Sequence, residues 1–485
     1  MKMKNFLMVL ALGLNSITMM GEVRLPAVIA DNMVLQRNSE VKLWGKATPG
    51  HELSVKPSWA KKAVKTTAEN DSTWVVTVST PEAGGPYSID FAEGKSTKTV
   101  SNVLIGEVWF CTGQSNMEMP LGGFERQPVK DSNDMIARAK KSTPVRMFVA
   151  DSEDGRWVRQ YSKTPKTEMW GKWLENTPEN ASHTSATAYY FARYLQEVLD
   201  VPVGIMISSL GGSQIECWLP REVLAAEFPE KDLKILDNDE PIKVQQTTPS
   251  ILYNAKVNPL INYGVRGFLW YQGESNRHNA DRYADLMAAY ARTLRSKFGN
   301  GEDMPFYFVE IAPYNYGNPL ATDAALLREA QADAVKKIPN SGIASTIDIG
   351  NFQFIHPVDK ATVGQRLAWL ALDNTYGIKG IASRSPQYDR HEVTGDGKMH
   401  IFVTETPNNI CPMWTDLQGF EIAGEDGVYH QAKAQVIDRP TCIELSSPDV
   451  PEPKYARYAF HNFPEYSVYS GYGLPLLPFR TDRSR

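Results

Sequence analysis

A serine placed between a glycine and short side-chain amides suggests acyl transfer. Gly113-Gln114-Ser115-Asn116-Met117 follows an apolar run from Val103 to Cys111 that only Gly106 and Glu107 interrupt. Such a run reads as a buried strand ending in a tight turn. A hydroxyl at that point is presented at the carboxyl edge of a sheet, with its own backbone N–H free to receive a developing oxyanion. The same residues also suit a strand end capped by Gln114 and Asn116, so Ser115 needs partners before it counts as a nucleophile.

Those partners are a base, a group that orients it, and oxyanion donors. Among eight histidines, His356 stands in Ile355-His356-Pro357, between a strand-like segment, Gly342 to Ile349, and a helix-like one, Ala361 to Leu372. His183 is a weaker rival with the look of a capping or packing residue. Gly211 and Gly212 follow the apolar run Val203 to Ser208, and their N–H groups can approach an acyl oxygen closely or serve only the turn. Gln272 and Asn276, after the run Gly267 to Tyr271, offer side-chain amides as further donors. Glu274 between them is a base, or an ion pair or cap that fixes the loop. Gln114, Asn116, Glu274, Trp218 and Trp270 make up the candidate substrate-binding set. Trp218, Trp270 and Tyr271 either stack on a pyranose face or belong to the core.

The elements that must carry these turns fall into three regions. From Arg24 to about Ser101, short alternating runs such as Val41-Lys42-Leu43-Trp44 are punctuated by Pro49-Gly50 and Gly84-Gly85-Pro86, which predicts a β-sandwich-like domain over 22–101. Over 102–376, short apolar runs alternate with helical patterns at Ala186–Leu199 and Asp281–Phe298, which predicts α/β architecture with a parallel sheet. Ligands bind beyond the strand carboxyl ends of such sheets. Beyond Gly377 the helical signal is lost, and 377–485 reads as β-rich. At 485 residues, two or three domains are expected. A net charge of −5, dispersed without blocks, gives nucleic acid or an anionic membrane no handle.

Lys2 and Lys4, the apolar segment Phe6 to Leu14 and the polar residues after it form the pattern of a secretory signal, 1–21, too short to span a bilayer. Cleavage near Gly21 is expected to leave an exported protein, periplasmic or secreted, with no membrane insertion. Four widely spaced cysteines show no metal pattern, and export permits, without demanding, a Cys411–Cys442 bridge.

Taken together, Gly113–Met117, Leu-Gly-Gly-Ser-Gln-Ile-Glu-Cys-Trp at 210–218, Trp-Tyr-Gln-Gly-Glu-Ser-Asn at 270–276, and Ile-His-Pro followed by Gly-Gln-Arg-Leu-Ala at 364–368 resemble the sialate O-acetylesterase family of SGNH-type serine esterases. Asp31–Gln36, Gly419–Asp426 and Leu474–Asp482 look like further landmarks, so the resemblance covers nearly the whole mature chain. It implies a flavodoxin-like three-layer α/β SGNH hydrolase domain with flanking β-rich domains, acting on O-acetylated sugars or glycans. By motif position Ser115 is nucleophile and His356 general base and acid, with the N–H groups of Ser115 and Gly212 or Gly211, and the Gln272 or Asn276 amide, around the oxyanion. No metal or organic cofactor is implied.

One departure stands out. Many members of that family carry an aspartate two or three residues before the histidine, where this chain has Phe354 and Gln353. Gln353, a carbonyl, or Asp348 reaching back from the strand end is then left to orient His356. Deacetylation of xylan or another polysaccharide is a second reading. A glycan-binding module with a decayed triad is a third.

Overall fold

The computed structural model describes residues 23–150, 152, 153, 156, 157, 160–299, 301, 303–437 and 441–483. The expected leader, 1–21, lies outside the described residues. One long strand, β1 (Ser96–Gly113), organises the rest, and every residue from Val103 to Gly113 is buried. A strand buried on both faces must read as a continuous apolar run, and this one does apart from Glu107. Glu107 is tied by Arg37 at 2.5 Å and Arg266 at 2.9 Å, so the buried carboxylate is compensated.

Strands β2 (Val145–Ala150), β3 (Gly171–Glu175), β4 (Val203–Ser209), β5 (Gly267–Tyr271), β6 (Phe306–Val309) and β7 (Ser341–Ala344) complete the central sheet in the order β3-β2-β4-β1-β5-β6-β7. All neighbours are parallel except β3, which is antiparallel to β2. Helix α1 (Ser115–Glu118) is a single turn after β1, followed along the chain by α2 (Ala186–Leu199), α3 (Tyr283–Phe298), α4 (Asp323–Lys337) and α5 (Lys360–Asn374). Alternation along β1 sends Trp109 and Cys111 to one face, where Phe191, Leu195, Val363 and Leu367 of α2 and α5 cover them. Val108 and Phe110 face the other side, with Met287, Tyr290, Leu294 and Leu327 of α3 and α4. The result is a three-layer α/β body. At Gly364, α5 comes so close to α2 that a Cβ would stand 2.7 Å from the Phe191 nitrogen.

The N-terminal region is not separated from this body by a linker. The first half of β1 pairs antiparallel with Gly84–Glu93, and Val34–Gln36 pairs parallel with Leu104–Gly106 of the same strand. The composition change near residue 101 therefore falls inside one continuous strand. Glu40–Lys46 and Thr73–Ser79 form an antiparallel pair whose alternate residues Val41, Leu43, Trp74, Val76 and Val78 point inward. After Asn374 the described residues contain strands but no helix, chiefly two four-stranded antiparallel sheets built on Met399–Thr404 and Phe420–Ala423. No disulfide joins cysteines among the described residues, so Cys411 and Cys442 form no bridge. No helix among them is long and apolar enough to cross a membrane.

Candidate active site

Sheet register brings the three candidate turns to one level. Gly113 at the end of β1 is paired with Ser209 of β4 on one side and Tyr271 of β5 on the other. Gln114-Ser115, Leu210-Gly211-Gly212 and Gln272-Gly273-Glu274 therefore leave the sheet side by side, at its carboxyl edge. Gly113 has φ +146°, and a Cβ there would lie 2.1 Å from the Tyr271 carbonyl oxygen. Only glycine lets the chain turn at this close approach.

His356 arrives from the loop between β7 and α5. Its Nε2 stands 2.8 Å from Ser115 Oγ, and its Nδ1 stands 2.5 Å from Gln127 Oε1. With the Gln127 amide oxygen as acceptor, Nδ1 carries the hydrogen and the Nε2 lone pair faces the serine hydroxyl; the tautomer follows from this bond. Phe124 packs edge-on to the imidazole, 5.2 Å between centroids. Burial, and secondarily the Lys360 charge, pushes the imidazole pKa down to about 4, so the ring is the neutral free base near pH 7.

The orienting group is thus neither of the two side chains expected from sequence, nor a backbone carbonyl. Asp348 is held by Arg366 of α5 in a bidentate pair at 2.6 and 2.7 Å, while His356 Nδ1 is taken by Gln127. Gln353 is exposed, and its backbone N–H is bound to Asn351 Oδ1 at 2.8 Å. Gln127 lies 229 positions before the histidine, in the loop after α1. His183 is exposed and caps the end of the short helix Pro178–Ser182.

Asn116 is a wholly buried hub beneath the pair. Its Nδ2 donates to Glu274 Oε1 and, at 3.3 Å, to the carbonyl of Ile355, the residue before His356. Its Oδ1 accepts from the Lys360 ammonium at the start of α5. Desolvation raises the Glu274 carboxyl and lowers Lys360 to about 7, each opposed in part by the charge of the other. The hub thus ties the serine turn, the β5 turn and the histidine loop to one another. Asn116 and Glu274 have no free polar face for a substrate, apart from Glu274 Oε2, which is buried without a partner among the described residues.

The donors around Ser115 also differ from the expected set. Gln272 gives Nε2 to the Ser213 carbonyl at 2.9 Å and to Asn276 Oδ1 at 2.8 Å, and its Oε1 accepts from Tyr283. Asn276 in turn donates to Glu216 Oε2 at 2.9 Å and accepts from the Ile215 N–H at 3.0 Å. Both N–H groups of the Gln272 amide are spent on fixing the turns and are unavailable to an oxyanion, and Asn276 gives one of its two to Glu216. The Gly211 N–H donates to the Glu118 carboxylate. The N–H groups of Ser115 and Gly212 make no hydrogen bond among the described residues. Gln114 is 2% exposed; its Oε1 accepts from Gly273 N–H at 3.1 Å, which leaves Nε2 as a donor without a partner among the described residues. Trp218, Trp270 and Tyr271 are wholly buried, with the two indoles packed edge-on at 6.1 Å, so none can stack on a sugar.

Sequence patterning did not reveal Gln127, Phe124, Glu118 or Lys360. Glu118 sits three residues after the serine and was within reach of a helical-turn argument. Gln127 and Lys360 carry no local signal.

Comparison with known proteins places the chain in a family. Residues 105–373, over half of the chain, match the family model described as carbohydrate esterase, sialic acid-specific acetylesterase. The sialate O-acetylesterase of Mus musculus is 29% identical over 416 residues, 75% of each chain. That of Homo sapiens is 28% identical over 402 residues, 76% of this chain and 74% of the other. A crystal structure of a carbohydrate acetylesterase from Xanthomonas citri superposes with a TM-score of 0.84 at 31% identity, covering 95% of this chain and 100% of that one.

Proposed function

We propose that this chain, which belongs to the carbohydrate esterase family of sialic acid-specific acetylesterases, hydrolyses acetyl esters of sugar hydroxyls through an acetyl-enzyme on Ser115. The observation that carries the reading is the 2.8 Å contact between Ser115 Oγ and His356 Nε2. Ser115 Oγ attacks the acetyl carbonyl carbon while His356 Nε2 takes its proton. The carbonyl oxygen, now an oxyanion, is received by the Ser115 and Gly212 N–H groups and the Gln114 Nε2. Collapse expels the sugar oxygen, to which His356 returns the proton. Water then adds to the acetyl-serine with His356 again as base, acetate leaves, and Ser115 regains its proton. Gln127 selects the tautomer but, being neutral, stabilises the imidazolium less than a carboxylate does.

Sialic acid is the leading sugar, by the names of the vertebrate relatives. The Xanthomonas citri protein is described more broadly as a carbohydrate acetylesterase, a description that fits equally a second reading in which the ester sits on a neutral polysaccharide such as xylan. Export belongs to the proposal as well, supported by Lys2, Lys4 and the apolar segment Phe6 to Leu14.

Acetate release from 9-O-acetyl sialic acid and from acetylated xylan fragments, with the native chain and Ser115→Ala, tests the reading. The expected loss in the variant is roughly a thousandfold or more. Unchanged release sinks Ser115 as nucleophile. A native chain that binds these sugars but releases no acetate makes it a binding module.

A further inference from the structure

Three surface segments converge beside the histidine loop. Phe352, four residues before His356, is 50% exposed, and its ring meets that of Phe463 edge-on at 5.3 Å and 90°. The Phe463 N–H donates to the Pro319 carbonyl at 3.0 Å, next to Leu320, which is 72% exposed. Tyr466, from the same C-terminal segment, donates to the Asp348 carbonyl at 3.1 Å. These apolar groups rest on a fixed backbone. Asn351 Oδ1 receives the N–H groups of Gln353 and Phe354, and Asn462 Oδ1 and Nδ2 bind Ala324 and Asn318. Single exposed apolar residues are ordinary, but several brought together from distant parts of the chain beside a reactive pair call for a ligand.

The chemistry of the patch narrows that ligand. Segments 315–322, 351–355 and 460–466 contain no lysine or arginine. Their one imidazole, His461, is bound to Glu421 at 3.0 Å, and Arg277, which stacks on Tyr316, is paired with Asp323 at 2.9 Å. Nothing there offers a cation to a carboxylate. The exposed ring of Phe352 and the half-buried ring of Phe463, beside the exposed Gln353, suit a pyranose, whose ring hydrogens form an apolar face while its hydroxyls seek amide partners. Four residues of chain span at most about 14 Å, so Phe352 lies within a short oligosaccharide's length of His356.

We propose that Phe352 and Phe463, edged by Leu320, form a subsite for an uncharged pyranose unit of the glycan whose acetylated residue is at Ser115 and His356. The inference rests on the acetylesterase reading and adds to it that the substrate is a chain rather than a free monosaccharide. Its test is kcat/KM for acetate release from an acetylated xylo-oligosaccharide, divided by kcat/KM for 4-nitrophenyl acetate. Phe352→Ala and Phe463→Ala are each expected to lower that ratio about tenfold through KM, with Phe352→Tyr restoring it. A ratio unchanged in both alanine variants overturns the subsite. A native chain that cleaves 4-nitrophenyl acetate but no acetylated carbohydrate overturns the activity reading and the subsite together.

Discussion

The two halves of the site are held in different ways. Ser115 follows the last paired residue of the most central strand, and its position is set by backbone register to β4 and β5. His356 sits in the loop that follows the edge strand β7, and its position is set by side chains: Gln127 on Nδ1, Phe124 against the ring, and Asn116 on the preceding carbonyl. A register-held group moves only if the sheet moves. A side-chain-held group can be retuned by single substitutions at remote positions, and a missing carboxylate can be replaced by an amide without disturbing the fold.

The largest expected effect comes from the register-held half. Gly113→Ala forces a positive φ on an alanine and drives its Cβ into the Tyr271 carbonyl. A loss of about 4 kcal/mol or more is expected, because neither strand can yield. Thermal melting reads it, and an unaltered midpoint contradicts the tight β1–β5 approach. Next is Asn116→Ala, where the two halves meet. Removing the amide leaves Glu274 and Lys360 buried without their bridge, and about 3 kcal/mol is expected to be lost. Turnover should fall with stability, since the Ile355 link goes too. A variant that melts normally yet has lost activity shows that the hub serves chemistry alone.

Gln127→Ala separates the halves more cleanly. The serine side has no contact with Gln127, so stability is expected to hold within about 0.5 kcal/mol. With its tautomer no longer selected, His356 is expected to lose roughly ten- to a hundredfold in kcat. Gln127→Glu should restore activity and move the acidic limb of the pH profile upward, because a carboxylate stabilises the imidazolium. A large fall in melting temperature for either variant makes the loop a structural strut instead.

The same division explains what the amino-acid order revealed. Ser115, Gly211, Gly212 and the β5 turn were legible because a buried parallel strand writes itself as a local apolar run and the chemistry follows it within a few residues. The histidine was legible by the same logic after β7. Its orienter was not, since the contact from Gln127 crosses 229 positions and rests on side-chain geometry with no periodic trace. Gln272 and Asn276 were assigned to the oxyanion because amides beside a nucleophile suggest donors. Their hydrogen bonds to Ser213, Glu216 and each other depend on how three turns pack, which one turn's sequence does not state. The break near residue 101 misled for a related reason: β1 changes from polar to apolar where it passes from the exposed sheet into the core, so a change of environment looked like a change of element.

The smallest effect concerns proton affinity, and it tests how remote a side chain can be and still tune the histidine. Lys360 does not touch His356; it binds Asn116, and its charge together with burial keeps the imidazole near 4 instead of its ordinary 6.5. As pH falls from about 6.5 toward 4, the unfolded chain takes a proton there that the folded chain resists, so this group's contribution to stability is present above 6.5 and is lost on acidification. Activity should persist across that window, because the free base survives, and kcat/KM should decline only near pH 4 to 5. Lys360→Met removes the nearby positive charge but leaves the burial, which is the larger cause. The acidic limb is therefore expected to move up by roughly one unit or less and to stay below 6.5. A limb that does not move assigns the whole depression to burial, and the histidine loop would then be tuned, as well as held, by packing alone.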